Sequence, residues 1–144
     1  MHQLHFHALG QPRSKGSPEI KRRAKTGRPF VLEKNDCRLW QEVIAWEARI
    51  AARAAGLMEP LDVPVSLRLA FRVPCGATPL GRAAAVKPDV DKLSRTVLDA
   101  LEGVLYVNDS RVVELVAYKR AADASSPPGV HVHLTWGRST ERST

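Results

Sequence analysis

The chain has 144 residues, with 22 Lys plus Arg against 15 Asp plus Glu, a formal charge of +7. An apolar share of 44% and a charged share of 26% exclude a wholly disordered or collagen-like chain, and the length suits one domain over residues 1–144. No apolar run approaches the ~20 residues of a membrane helix and Met1-His2-Gln3-Leu4-His5 lacks a signal peptide's apolar core, so the expectation is a soluble, cytoplasmic protein.

Leu4, Phe6 and Ala8 alternate with His5 and His7, which predicts a short first strand with one apolar face. Residues 10–30 follow as a basic stretch: Arg13, Lys15, Lys21, Arg22, Arg23, Lys25 and Arg28 are opposed only by Glu19. Gly10, Pro12, Gly16, Pro18, Gly27 and Pro29 punctuate it, so it reads as a cationic loop suited to phosphate contact. Asn35 or Asp36 can cap a helix running to about Ala55, and Gly56 fits its stop signal. Leu39, Val43, Trp46, Ile50 and Ala54 recur at steps of three and four and form its expected inward stripe.

Val65, Leu67, Leu69, Phe71 and Val73 alternate with Ser66, Arg68, Ala70 and Arg72 in the cleanest strand of the sequence. Residues 75–87 are rich in Gly, Ala and Pro and read as a flexible connector. A second helix is expected from about Val90 to Leu101, with Leu93, Val97, Ala100 and Leu101 inward. Residues 111–120 read as a strand, and Val130, Val132, Leu134 and Trp136 mark a last one before a polar tail, residues 137–144. The order is that of an α/β (α+β) domain, a mixed sheet with two main helices packed on it. Cys37 and Cys75, without CxxC spacing, read as reduced thiols. The pI near 9.9 adds to the case for a polyanionic partner.

Within this basic chain the acids cluster. Lys87-Pro88-Asp89-Val90-Asp91 sets two carboxylates directly before the second helix, and Asn108-Asp109-Ser110 sets a third after it. A helix of that length spans ~18 Å, so the carboxylates meet only if residues 102–107 run back along it, bringing Asp109 beside Asp89 and Asp91. Three such groups repel unless a cation lies among them, and Mg²⁺ prefers oxygen ligands. From spacing alone, helix capping by Asp89, a first-turn place for Asp91 and a turn at Asn108-Asp109 are the simpler account of the same residues.

The run from Lys87 through Pro-Asp-Val-Asp-Lys-Leu-Ser-Arg, Leu-Asp-Ala-Leu and Asn-Asp-Ser-Arg-Val to Lys119 resembles the signature of RusA-family Holliday junction resolvases. The resemblance implies a homodimeric, Mg²⁺-dependent endonuclease, with Mn²⁺ as substitute, that nicks four-way DNA junctions in recombination and repair. It assigns metal binding and catalysis to Asp89, Asp91 and Asp109, a phosphate or catalytic role to Arg95, and DNA contact to Lys92, Lys119 and the basic loop. The chain departs from the pattern in Lys92 for a frequent Asn, Arg95 for a functional Lys, and Asn108 for the first acid of a pair. Arg95 keeps the charge but is never deprotonated at working pH. A junction-binding protein with a degenerate, inactive site and a less selective branched or flap DNA nuclease are the alternatives these departures leave open.

Other signals are weaker. Asp99 lies ~12 Å along the helix from Asp91, too far for one coordination shell, and reads as structural. Glu114 reads as a solvated strand residue. His5-x-His7 and His131-x-His133 each place two imidazoles on one strand face; no Cys or carboxylate completes a zinc set, so they read as solvated. Trp40 borders the inward stripe and is assigned to the core, with base stacking or a dimer contact as alternatives.

Overall fold

The computed structural model describes residues 1–14, 19–22, 26–27, 29–32, 37–74 and 88–137. Alternating sequences become strands with one buried face: β1 (His2–Leu9) buries Leu4, Phe6 and Ala8, and β4 (Val65–Val73) buries every second residue from Val65. With β5 (Val112–Ala121) and β6 (Gly129–Trp136) they form a four-stranded sheet in the order β1-β6-β4-β5. β6 runs antiparallel to both neighbours, whereas β4 and β5 run parallel. A parallel pair requires a crossover, and α2 (Val90–Leu101) lies within it. Both helices contribute to one core with the same sheet face, α1 (Cys37–Ala54) against β1 and α2 against β5. The structure is thus the expected α+β arrangement, and α2 and β4 have the expected bounds. Among the described residues no helix is long and apolar enough to cross a membrane.

Two expectations need correction. The basic stretch is not wholly loop: β2 (Glu19–Arg22) and β3 (Pro29–Leu32) pair antiparallel as a separate ribbon. Gly and Pro punctuate its ends, while Ile20, Phe30 and Val31 favour extended backbone. The second correction concerns α1, which is apolar on two sides. Cys37, Trp40, Ile44, Ala48 and Ala52 are buried, whereas Leu39 (73% exposed), Val43, Trp46 (63%) and Ile50 face outward. Small side chains at Ala48 and Ala52 let the backbone approach the core, which the bulkier stripe would prevent. Trp40 is therefore core, and its ring lies 3.2 Å from where a Cβ on Gly10 would be.

The other sheet face carries Gln3, His5 and His7 on β1 and His131 and His133 on β6, with Arg68 and Arg72 on β4. Partial burial, with His7, His5 and His133 around it, holds the His131 imidazole below its ordinary pKa.

The expected connector at residues 75–87, and Cys75 with it, lies outside the described residues, as do 138–144 of the tail.

Candidate active site

Helix α2 is amphipathic in a way that divides chemistry from packing. Leu93, Val97 and Leu101 point into the core, while Asp91, Arg95, Leu98 and Asp99 fall at helical spacing on the opposite stripe. The buried hydroxyls of Ser94 and Thr96 donate to the carbonyl oxygens of Val90 and Lys92, 2.8 and 3.1 Å away, so no polar group on the inner side is stranded. Gln41 of α1 donates to the Thr96 carbonyl at 3.1 Å and ties the helices together.

Asp89 holds the N-cap position with extended backbone (φ −71°, ψ 147°), but its side chain makes no capping hydrogen bond and lies 4.0 Å from the Lys92 amine. The Lys119 amine, expected at a phosphate, donates to the Pro88 carbonyl at 2.8 Å and so fastens β5 to the start of α2.

At the other end of the helix, Gly103 (φ 83°) opens a turn that a Cβ-bearing residue enters only with strain, and its N–H donates to the Tyr106 carbonyl at 2.7 Å. Tyr106 is fully buried, and its hydroxyl donates to the Leu98 carbonyl at 2.8 Å. Burial first, then the charges of Asp109, Glu102 and Asp99, raise the phenol's pKa. Leu61 exchanges backbone hydrogen bonds with Leu105 and Val107 (2.8 and 2.9 Å). Asn108 then accepts from the Ser110 N–H at 2.9 Å and donates to the Glu102 carboxylate at 3.0 Å, shaping the 3₁₀ turn Asp109–Arg111.

This path decides which acids meet. The carboxylates of Asp99, Glu102 and Asp109 lie within 4.8 Å of one another, all exposed, and they are the one such group of three among the described residues. Asp89, Asp91 and Asp109 do not form such a group. Residues 102–107 are spent on the tight turn and the Tyr106 anchor, so Asp109 arrives at the C-terminal half of α2 rather than its start. Asp91 and Asp109 nonetheless line one cleft of about 610 Å³ with Arg95, Asp99, Leu115 and Ala117. Asp89 is not among its lining residues. Asp99, read from sequence as structural, belongs to this cleft, and Glu102 adjoins it. The spacing Asp91, Arg95, Asp99 already put those three on one helix face; only the position of Glu102 required the turn.

Of the expected DNA contacts, Arg13 is exposed, its guanidinium donating to the Gln11 side chain at 3.5 Å, and Lys92 is exposed beside Asp89. Lys21 and Arg22 lie on β2, with only their backbone described, and Lys15, Arg23, Lys25 and Arg28 fall outside the described residues.

The donor set of the cleft is entirely carboxylate oxygen, hard ligands that suit Mg²⁺ or Mn²⁺ better than zinc or copper. Exposed carboxylates at this spacing repel, and a divalent cation among them removes that cost. The cleft therefore fits such an ion.

A comparison with curated proteins returns no match. The family model described as endodeoxyribonuclease RusA matches residues 10–135 of the 144, a span that includes α1, α2, the acid cleft and nearly all of the sheet beyond β1. The chain belongs to the RusA endodeoxyribonuclease family and is a nuclease.

Proposed function

We propose that this nuclease is a single-domain, homodimeric Holliday junction resolvase that needs Mg²⁺, or Mn²⁺ in its place, and cuts four-way DNA by paired nicks. The observation that carries the reading is the return of Asp109 to the cleft lined by Asp91, Arg95 and Asp99. Asp91 and Asp109 would hold the ion, and Asp89, outside the cleft's lining, would have to swing in from the turn before α2 to add a third carboxylate. When bound, the ion supplies Lewis-acid polarisation of the scissile phosphate and lowers the pKa of water. Arg95 offers its guanidinium to the phosphate from the same cleft and neutralises it without exchanging a proton. Arg13, Lys92 and the basic ribbon hold the junction arms through their phosphates, contacts that position the substrate without reading sequence. A junction with near-twofold symmetry calls for two matched sites, which a twofold dimer provides. The outward stripe Leu39, Val43, Trp46 and Ile50 on α1 supports association of two copies.

The spacing of Asp99, Glu102 and Asp109 favours a second reading in which these three hold the ion and Asp91 faces substrate.

Labelled four-way junction is incubated with the protein, with EDTA or with Mg²⁺. Cleavage confined to the Mg²⁺ arm, at paired positions, is the expected result. A retarded complex without product in either arm refutes the enzymatic reading in favour of a binder. Equal cutting of flap, linear and four-way DNA refutes junction selectivity.

A further inference from the structure

All five histidines of the chain lie on β1 and β6, strands brought together only by folding. Four of them, His5, His7, His131 and His133, share the sheet face opposite the helices, where the register sets His5 against His133 and His7 against His131. On the diagonal, Nδ1 of His5 and Nε2 of His131 are 3.5 Å apart. That separation is long for a hydrogen bond between imidazoles. It matches the edge of a tetrahedral zinc centre, where two bonds of 2.0–2.1 Å place the nitrogens ~3.4 Å apart.

The neighbours prepare the same chemistry. The ring of His7 stacks on that of His131, with centroids 4.3 Å apart, which fixes the plane of one member of the pair. Nε2 of His133 faces the side-chain oxygen of Gln3 at 2.8 Å, an atom that only accepts, so Nε2 carries the proton and Nδ1 the lone pair. Imidazoles that bind metals characteristically donate their other N–H to an oxygen in this way. The His133 ring centroid is 6.2 Å from that of His5, so its nitrogen reaches the pair only if the side chain shifts toward it.

We propose that His5 and His131, joined by His133 and water, form a second metal site that takes a borderline-soft divalent cation such as Zn²⁺, on the sheet face opposite the carboxylate cleft. Imidazole selects zinc, copper or nickel, whereas carboxylates select magnesium or manganese, so the two faces sort ions by ligand hardness. An ion held here staples the edge strand β1 to β6. The site does not depend on the nuclease reading.

The test is calorimetric titration of ZnCl₂ into the full chain with MgCl₂ in excess. One zinc per chain is expected in the wild type and in Asp99→Asn/Asp109→Asn. In His5→Gln/His131→Gln the affinity is expected to fall by at least about tenfold, and zinc is expected to raise the melting temperature of the wild type but not of this variant. NMR of the wild type supplies a readout independent of the variants, with zinc shifting the His5 and His131 ring resonances. Three results overturn the proposal: no zinc uptake by the wild type, undiminished uptake by the histidine variant, or ring resonances that zinc leaves in place.

Discussion

Tyr106→Phe removes one oxygen atom from the anchor that sets the path to Asp109. The phenol is fully buried and its single contact through oxygen is the 2.8 Å hydrogen bond to the Leu98 carbonyl. That carbonyl also accepts the Glu102 N–H at 3.2 Å, so the substitution strands no partner. The loss is therefore that of one net hydrogen bond, about 0.5–1.5 kcal/mol. With an unfolding entropy of ~2 cal/mol/K per residue, a chain this long should melt ~2–5 °C lower. The phenol's pKa is raised in the folded protein, so the folded state keeps a proton that the unfolded chain releases near pH 10. Its contribution to stability is complete below that pH and declines as pH rises beyond it, a decline that Tyr106→Phe should flatten. Thermal melts by circular dichroism between neutral pH and pH 11 test both statements. A variant that melts within 1 °C of the wild type, with an unchanged alkaline slope, would refute the claim that this hydroxyl anchors the turn.

Asp109→Asn and Asp91→Asn should each lower junction cleavage at least about 100-fold while leaving the gel shift intact, since each removes a negative charge from the cleft and leaves only a neutral amide oxygen to face the ion. Asp89→Asn and Asp99→Asn separate the two readings of the site: the first should be the more damaging if Asp89 binds the ion, the second if Asp99 does. Gly129→Ala would put a Cβ 2.4 Å from the Ala8 carbonyl oxygen, forcing β1 away from β6. Overpacking of that kind costs about 1–3 kcal/mol, seen as a melting temperature ~3–10 °C lower, and an unchanged melt would show that the strands yield freely. Arg111→Ala breaks the 2.8 Å ion pair with Asp62 on the surface and should cost less than ~1 kcal/mol; a drop above 5 °C contradicts that.

Local patterns in the sequence were informative wherever one side of an element is clearly apolar. The alternation of Val65 to Val73 and the 93-97-101 repeat of α2 specify both the elements and their inner faces. α1 defeats the same reasoning because two of its sides are apolar. Bulk favours Leu39, Val43, Trp46 and Ile50, yet close packing selects Ile44, Ala48 and Ala52, a choice made by the surface they meet. The acid cleft was legible in its members Asp91, Arg95 and Asp109 but not in its arrangement. Nothing local to residues 102–107 announces that Tyr106 will reach back to Leu98, and that contact decides where Asp109 lands. The two histidine pairs likewise look solvated one strand at a time, and only the β1–β6 register makes them neighbours.

The side chains that line the cleft from Asp91 to Asp109 belong to one uninterrupted run of chain, doubled back on itself. Closing so short a loop costs little entropy, so this corner assembles from sequence neighbours, with the sheet serving as its backing. Extra residues between β4 and α2 would lengthen the lead into the helix without altering the spacing of those acids. A single residue inserted between Gly103 and Asn108 would instead throw Asp109 out of phase with the rest.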